Sequence, residues 1–230
     1  MTDHAMLFSG PMVRALPEGR KTQTRRTLKR LRRFGPITEF GPSDTPGFDW
    51  HFRDKEMRWH DLRHTELLEY LPVKVGDRAW VREAHAVVGS VDPGWVLYRA
   101  DGYENECMRH GFDRPYPPEP KWKPSIFMPR WASRLTLHVE DVRVQRLQEI
   151  SEEDAIGEGV GLCPHARPNY RVELKMPNSL GANAVDADTA RSCFRRLWES
   201  INGAGSWDAN PWICAISFRT ERANIEEARE

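Results

Sequence analysis

The sequence lacks an excess of charge of either sign. Its 230 residues include 34 lysines and arginines and 34 aspartates and glutamates, which gives a formal net charge of +0. The overall charge therefore gives no electrostatic reason to expect a nucleic-acid partner. The distribution is uneven, however, because residues 20–33 carry eight cations and no acid, whereas residues 149–158 are rich in acids.

Long hydrophobic runs are also absent. No stretch of about 18 apolar residues is present, which excludes a membrane-spanning helix. The first residues, Met1 to His4, lack the basic and then apolar layout of a secretory signal. The four cysteines are far apart and form no CxxC pair, so reduced thiols are expected. These features predict a soluble cytoplasmic protein without a membrane partner.

Motifs for metals, ATP and dinucleotides are missing. The eight histidines show no recognisable ligand spacing, and Cys163-Pro164-His165 is too short a motif for zinc. The segment from Gly19 to Arg26 has neither the Walker glycine spacing nor a dinucleotide fingerprint, which excludes a P-loop NTPase. We therefore expect no metal and no cofactor.

Tryptophan, by contrast, is abundant. Nine tryptophans are many for a chain of this length. Trp combines a large apolar area with one polar group, so it serves a core equally well as a surface that stacks on bases. The number of tryptophans does not separate these two uses.

Apolar and polar residues alternate in four segments as they do in half-buried strands: 73–83, 95–99, 134–147 and 211–218. The clearest alternation has one phase slip, at Glu140-Asp141, which predicts a bulge or a tight turn. About five strands are expected in total.

Three short helical segments are expected between the strands. A helical turn precedes Gly19. Ser151 caps a helix with three acids in its first turn, and Gly157 and Gly159 keep this helix short. Asp188 caps a third helix, in which apolar residues recur at three- and four-residue spacing: Ala190, Cys193, Phe194, Leu197, Trp198 and Ile201.

Long irregular segments separate these elements. Residues 34–50 are rich in Gly, Pro, Ser and Asp and are interpreted as a loop, and residues 111–124 hold five prolines and are interpreted as a connector. The sequence predicts a single α+β domain over residues 1–220 and a charged, frayed tail at 221–230. Long loop insertions are expected near 34–70, 100–125 and 161–187.

The basic segment from Gly19 to Arg26 is the first candidate site. Its glycine permits a tight turn, and its lysine, hydroxyls and arginines are donors that hold phosphate or a carbonyl oxygen. A solvated basic face explains the same residues. If the segment makes one helical turn, Lys21 and Thr24 meet. Burial beside Arg20 or Arg25 would then lower the pKa of Lys21 and let it take the proton of the Thr24 hydroxyl.

Ordered motifs along the chain resemble the ASCH family of the PUA-like superfamily: Gly19-Arg20-Lys21-Thr22-x-Thr24, Gly76-Asp77, Ile150 to Ala155, and the strand from Trp212 to Phe218. Others resemble the larger ASCH-type proteins of phages and prophages: Met6 to Val13, Trp80 to Glu83, Met128 to Arg134, and Trp207 to Trp212. The resemblance covers most of the chain. It implies a small PUA-like β-barrel of the ASCH type with flanking short helices, in a bacterial host or a phage-infected cell.

The family resemblance also implies an activity. Small bacterial ASCH proteins include amidohydrolases that remove the acetyl group of N4-acetylcytidine with a lysine, a threonine and a glutamate. The resemblance places these roles on Lys21, Thr24 and Glu158, and no metal is needed. Lys21 would activate Thr24 as the nucleophile, and Glu158 would pass a proton to the leaving amine. Since Glu158 lies between two glycines, a solvated acid at the helix end is the alternative.

A second candidate group is Trp80-Val81-Arg82-Glu83. On a strand, Arg82 and Glu83 point to opposite faces. Arg82 could pair with an acid or a phosphate, and Glu83 could enter the cleft as another carboxylate. An internal salt bridge is the simpler interpretation.

A third candidate group mixes aromatic and cationic residues between Trp122 and Arg134, including Arg130 and Trp131. Base stacking with phosphate contacts uses these residue types, and so does barrel packing with arginines at the rim. For Trp131, packing is the favoured interpretation.

Two main hypotheses of function follow. In the first, the protein is an amidohydrolase that acts on a modified nucleobase or nucleoside. In the second, it binds RNA or DNA without turnover. A ribonuclease, which both binds and cuts RNA, is an intermediate alternative. Both require the basic segment to face the acidic helix across a cleft. The candidate substrate or nucleic-acid contacts are Arg20, Thr22, Arg25, Arg26, Arg82, Glu83, Arg130 and Trp131.

Overall fold

The structure is a computed structural model that describes residues 2–89, 94–162, 170–174 and 183–228, and its chain is mixed α+β. The strands are β1 (Asp3–Leu7), β2 (Gln23–Thr27), β3 (Arg30–Leu31), β4 (Gly35–Pro42), β5 (Trp50–Asp54), β6 (Trp59–Leu62), β7 (Arg78–Arg82), β8 (His85–Val88), β9 (Trp95–Tyr98), β10 (Thr136–Arg146), β11 (Gly161–Leu162), β12 (Tyr170–Leu174), β13 (Asn183–Ala187) and β14 (Trp212–Glu221). The helices are α1 (Gly10–Ala15), α2 (His64–Tyr70), α3 (Tyr103–Arg109), α4 (Glu152–Gly157) and α5 (Ala190–Asn202).

The main sheet has five strands in the order β1-β7-β10-β14-β2. β1 runs parallel to β7, and every other neighbouring pair is antiparallel. In the described ranges the edge strands β1 and β2 form no ladder with each other, so a closed barrel is not present there. A side-chain contact bridges the gap, because a guanidinium nitrogen of Arg26 donates to the Leu7 carbonyl at 2.9 Å.

The four predicted strands are confirmed as β7, β9, β10 and β14. The register between β10 and β14 shifts between Val139 and Asp141, at the phase slip of the alternating pattern. Because this bulge changes the parity of the strand, Val139 and Val142 are both buried although they are three residues apart.

The interpretation of residues 34–50 as a loop is wrong. β4 and β5 cover much of this segment and belong to a four-stranded antiparallel sheet in the order β3-β4-β5-β6. A register shift between Ile37 and Glu39 interrupts the alternation of β4, which is why the sequence pattern does not indicate a strand. The sheet shares the main hydrophobic core, in which Phe52 is fully buried.

The insertion at 161–187 is also more regular than expected. Its described part forms a three-stranded antiparallel sheet, β11-β12-β13, which packs against α5. Residues 163–169 and 175–182, and with them Cys163 and His165, lie outside the described residues.

The insertion at 100–125 contains one helix, α3, and the proline-rich connector at 111–124 has no helix or strand, as predicted. The connector ends on a bridge between Lys123 and His85, whose backbone groups exchange hydrogen bonds at 2.7 and 3.2 Å.

The predicted helices are confirmed with two corrections. The Ser151 hydroxyl accepts from the Asp154 amide at the start of α4, as expected. Thr189, not Asp188, caps α5, since its hydroxyl accepts from the Ser192 amide at 3.1 Å. The buried face of α5 follows the predicted apolar stripe except for Ile201, which is 65% exposed.

The predicted frayed tail is packed over most of its length. Ile225 is 1% exposed. The Asn224 amide donates to three backbone carbonyls, at 3.0, 3.1 and 2.7 Å: those of Arg130, Trp131 and Ser133. Residues 222–228 therefore lie on the body of the protein, and residues 229–230 lie outside the described residues.

Candidate functional site

The basic segment and the acidic helix meet in the structure. The Lys21 ammonium donates to Glu158 Oε2, to the Glu158 carbonyl and to the Gln23 carbonyl, each at 2.9 Å. Lys21 and Glu158 also form a β-bridge through their backbones. Glu158 is 4% exposed, so the interpretation as a solvated acid at the helix end is wrong.

The expected helical turn at Lys21 is not formed. Residues 23–27 form strand β2, which pairs with β14, so Lys21 lies just before a strand. Lys21 and Thr24 are nevertheless brought to the same cavity by this extended backbone.

Burial decides the electrostatics of Lys21. Its side chain is 3% exposed, and desolvation lowers the pKa of the ammonium from its ordinary value despite the neighbouring Glu158 carboxylate. The charges of Arg26 and Arg25 act in the same direction as desolvation. The expected direction of the pKa shift thus agrees with the structure.

Arg25 extends the ionic contacts from Lys21 towards α4. Its guanidinium, which is fully buried, lies 3.2 Å from Glu158 Oε1 and 2.6 Å from Asp154 Oδ2. Asp154 also accepts from Gln23 at 3.1 Å and from Arg143 at 3.2 Å. We call Lys21, Arg25, Asp154 and Glu158 the cavity cluster.

Glycines explain why α4 can approach β2 so closely. A Cβ at Gly157 would lie 3.2 Å from the Thr22 hydroxyl, and the Thr22 amide donates to the Gly157 carbonyl at 2.8 Å. Gly159 has φ +97°, and a Cβ there would lie 3.4 Å from the Met12 sulfur. The two glycines that flank Glu158 therefore permit the turn that buries it.

Three residues of the cavity cluster, Lys21, Arg25 and Glu158, line the first cavity, whose volume is about 570 Å³. Asp154 holds Arg25 from outside the cavity lining. Thr24 also lines this cavity, and its hydroxyl makes no hydrogen bond within the part of the chain that the structure describes. The opposite wall is apolar and comes from α5 and from the start of the chain: Phe8, Met12, Phe194, Leu197, Trp198 and Ile201. The cavity thus combines buried charges, one free hydroxyl and an apolar wall.

Among the predicted binding residues of the basic segment, Arg25 and Arg26 line the first cavity. Arg26 is exposed and lies over the Phe8 ring, 5.4 Å from its centroid. Arg20 is exposed and pairs with Glu18, and Thr22 is exposed beside Gly157. Arg20 and Thr22 are not among the residues that line the cavity.

Glu83 does not enter the first cavity but forms the internal salt bridge that was the simpler interpretation. Both its oxygens accept from Arg134, at 2.8 and 3.0 Å, and Arg134 also binds Asp101. Burial alone would lower the pKa of Arg134, but its hydrogen bonds to Asp101 and Glu83 raise it above its ordinary value. We call Glu83, Asp101 and Arg134 the closed cluster.

The Arg82 guanidinium is likewise bound by other groups of the protein. Its guanidinium donates to the carbonyls of Ile126 and Met128 and lies 5.0 Å from the centre of the Trp80 ring. The expected contact with an acid is not formed in the described residues, because backbone carbonyls take its place.

Arg130 and Trp131 lie away from the first cavity. Arg130 forms ion pairs with Asp3 at 2.5 Å and with Glu226 at 2.6 Å. The favoured interpretation of Trp131 as a packing residue is wrong, because the side chain is 49% exposed.

Sequence reasoning missed two parts of the site. Asp154 was assigned only to the first turn of a helix, although it orients Arg25. The wall from α5 was found as an apolar stripe, but spacing along a helix does not reveal which cavity the stripe borders.

The described residues contain none of three other kinds of feature: a cluster of metal ligands, a disulfide or a membrane-spanning helix. No group of three or more His, Cys, Asp or Glu side chains could hold a metal within the described ranges. The described cysteines, Cys107, Cys193 and Cys214, are free thiols. Each helix in the described part of the chain is too short or too polar to cross a bilayer.

Comparisons with protein-family models, with curated protein sequences and with solved structures gave no match to this chain.

Proposed function

We propose that this protein is an ASCH-type amidohydrolase that removes the acyl group from a modified nucleobase such as N4-acetylcytidine. One observation carries the proposal: Lys21 and Glu158, paired at 2.9 Å and both buried, line one cavity with the free hydroxyl of Thr24. The resemblance of the sequence motifs to the family supplies the substrate.

The lowered pKa of Lys21 supports its role as the base. As an ammonium, Lys21 uses all three N–H donors on Gln23 and Glu158. A neutral amine keeps two of these contacts and gains a lone pair. That lone pair takes the proton of the Thr24 hydroxyl, which makes the oxygen nucleophilic.

The reaction then proceeds through an ester. The Thr24 oxygen attacks the acyl carbon, the bond between this carbon and the base nitrogen breaks, and Glu158 passes the Lys21 proton to the leaving amine. One water molecule hydrolyses the Thr24 ester, which releases the carboxylic acid and restores the hydroxyl. Arg25, 3.2 Å from Glu158, keeps the carboxylate in place during both steps.

The fold also agrees with the proposal of a small PUA-like barrel. The edge strands β1 and β2 both border one apolar cavity of about 270 Å³, which lies between them. The Arg26–Leu7 contact spans the same gap. An open five-stranded sheet whose edges approach in this way has the curvature that barrel closure requires.

Binding of RNA or DNA without turnover is the second candidate. It is favoured by exposed cations that continue from the first cavity along the chain: Arg26, Lys29, Arg30 and Arg33. Affinity that falls steeply with salt while N4-acetylcytidine stays intact would identify this function. Cleavage of the bound RNA would identify a ribonuclease instead.

The direct test is incubation of the purified protein with N4-acetylcytidine and separation of the products by liquid chromatography. We expect cytidine and acetate in equal amounts. Thr24→Val keeps the shape of the side chain but removes the hydroxyl, so release of cytidine should fall by about 100-fold or more. Thr65→Val is the matched control, because Thr65 is exposed on α2 and does not line the first cavity.

Cytidine release that persists in Thr24→Val at the rate of Thr65→Val would contradict the role of Thr24. No release by the wild type, with N4-acetylcytosine tested alongside the nucleoside, would reject amide hydrolysis of this substrate.

A further inference from the structure

A second cavity lies beside the first one. It has a volume of about 440 Å³ and opens between the four-stranded sheet and the main sheet. Thr27, the last residue of β2, lines both cavities. The two cavities are therefore neighbours at the end of β2.

Two aromatic rings form a corner in the second cavity. Phe40 and Trp212 both line it, with their ring centres 5.6 Å apart and their planes at 79°. Trp50 supports Phe40 from behind by stacking on it at 5.3 Å. Two rigid apolar walls at nearly a right angle suit a flat ring, which can stack on one wall and contact the other with its edge.

Some polar groups of the second cavity are uncommitted, whereas Arg146 donates to the Asn210 carbonyl and Glu39 pairs with Arg53. Lys29 and His51 line it, and neither side chain has a hydrogen bond or an ion pair within the described ranges. The indole Nε1 of Trp212 is buried and has no hydrogen-bond partner among the described residues. An unused cation beside aromatic rings is the lining expected of a cavity that binds a ligand.

The charge of the second cavity favours an anion. Lys29 and Arg146 contribute positive charge, and Arg146 lies 4.4 Å from the centre of the Trp212 ring. Glu39 also lines the cavity, but it pairs with Arg53 at 3.0 Å. The ligand chemistry that fits is a flat aromatic ring joined to a phosphate.

We propose that the second cavity binds a nucleotide next to the base held in the first cavity, so that the protein binds a single-stranded polynucleotide more tightly than a free nucleoside. The inference rests on the proposed function only where it assigns the first cavity to a base. Base stacking on Phe40 and a phosphate contact with Lys29 would supply the binding energy.

The test is fluorescence anisotropy with a labelled single-stranded RNA of ten cytidines. Lys29→Glu should weaken binding by about fivefold or more, because it reverses the charge beside the phosphate. Lys55→Glu is the matched control, since Lys55 is an exposed lysine that follows β5 and does not line the second cavity. Phe40→Leu keeps an apolar side chain but removes the stacking ring, and should weaken binding by about fivefold or more.

A second measurement locates the ligand. The indole N–H resonance of Trp212, assigned with Trp212→Phe, should shift on titration with the RNA. If cytidine monophosphate produces the same shift and binds as tightly as the RNA, the cavity is a site for a free nucleotide and the polynucleotide part is overturned. Equal RNA affinities of Lys29→Glu, Phe40→Leu and Lys55→Glu would overturn the site itself.

The result for the second cavity can be distinguished from the result for the proposed hydrolysis of N4-acetylcytidine. If the wild type leaves N4-acetylcytidine intact, and both Lys29→Glu and Phe40→Leu weaken RNA binding, the hydrolase is rejected and the second cavity is supported. A wild type that hydrolyses N4-acetylcytidine, but whose RNA affinity is the same in Lys29→Glu and Lys55→Glu, would reject only the second cavity.

Discussion

The cavity cluster and the closed cluster both pair a buried carboxylate with an arginine, but only the cavity cluster contains a lysine. Both clusters border a cavity, because Asp101 and Arg134 of the closed cluster line a third cavity of about 570 Å³. In both, a carboxylate that is at most 5% exposed is held by cations within 3.2 Å. Glu83 of the closed cluster receives both donors of one Arg134 fork, and the rest of that guanidinium binds Asp101. Glu158 of the cavity cluster is shared between Lys21 and Arg25 beside a cavity.

The difference teaches that a buried ion pair is not by itself a sign of catalysis. A forked arginine between two carboxylates satisfies its partners and has no free group to offer a substrate. A lysine can release its proton, and the lysine of the cavity cluster borders the same cavity as an unused hydroxyl. The position of Thr24 therefore separates a candidate site from a structural ion pair.

The largest expected effect is on activity, which should fall when the cavity cluster is changed and not when the closed cluster is changed. Lys21→Met removes the proposed base and should lower kcat/KM for N4-acetylcytidine by about 100-fold to 10,000-fold. Arg134→Met removes a cation of the closed cluster and should leave kcat/KM per folded molecule within about threefold of the wild type. Liquid chromatography of cytidine release measures both, with the folded fraction taken from circular dichroism. Equal losses of kcat/KM in the two variants would show that the two clusters do not differ in their effect on activity.

The next effect is on stability, where Arg134→Met should cause a larger loss than Lys21→Met. Arg134→Met leaves Glu83, whose side chain is 2% exposed, without a cation and should lower the free energy of unfolding by about 3–5 kcal/mol. Lys21→Met leaves Glu158 paired with Arg25, so a loss of about 1–3 kcal/mol is expected. Urea titration at neutral pH gives both values. A larger loss in Lys21→Met would show that the cavity cluster is the main structural one.

The smallest effect is a dependence on pH that only the cavity cluster should show. Desolvation lowers the pKa of folded Lys21, whereas the unfolded chain keeps the ordinary value of 10.5. Between these two values the unfolded state binds more protons, so the stability of the wild type should rise with pH relative to Lys21→Met. The rate of hydrolysis should rise by at most about tenfold per pH unit below the pKa of folded Lys21 and level off above it.

Urea titrations and rate measurements from pH 7 to about 10 check this dependence. The rate of hydrolysis by Arg134→Met should follow the wild-type pH profile, because Lys21 is intact in it. A stability difference between the wild type and Lys21→Met that does not change with pH would contradict the lowered pKa of Lys21.

Local patterns were enough to predict several parts of the fold. The alternation along residues 134–147 predicted β10 and its bulge, and Ser151 with the acids behind it predicted α4. Residues 34–50 were misjudged because a register shift and two prolines hide the strand pattern of β4. β4 pairs with other strands of the same insertion, and its own sequence pattern gives only a weak indication of a strand.

The candidate site was predicted in part. The resemblance to ASCH proteins named Lys21, Thr24 and Glu158, and these three residues do line one cavity. Neither the position of Asp154 behind Arg25 nor the burial of Glu83 in the closed cluster could be predicted, since both depend on contacts across long sequence separations.

The sequence by itself determined the residue types and the local elements: a basic segment, an acidic helix and an apolar stripe, each specified by neighbours a few positions apart. Only the tertiary structure decided which charges became buried, which cation each carboxylate received and which hydroxyl stayed free. The physical reason is that desolvation and pairing depend on distances in space. Lys21 and Glu158 are 137 positions apart in the chain and 2.9 Å apart in the fold.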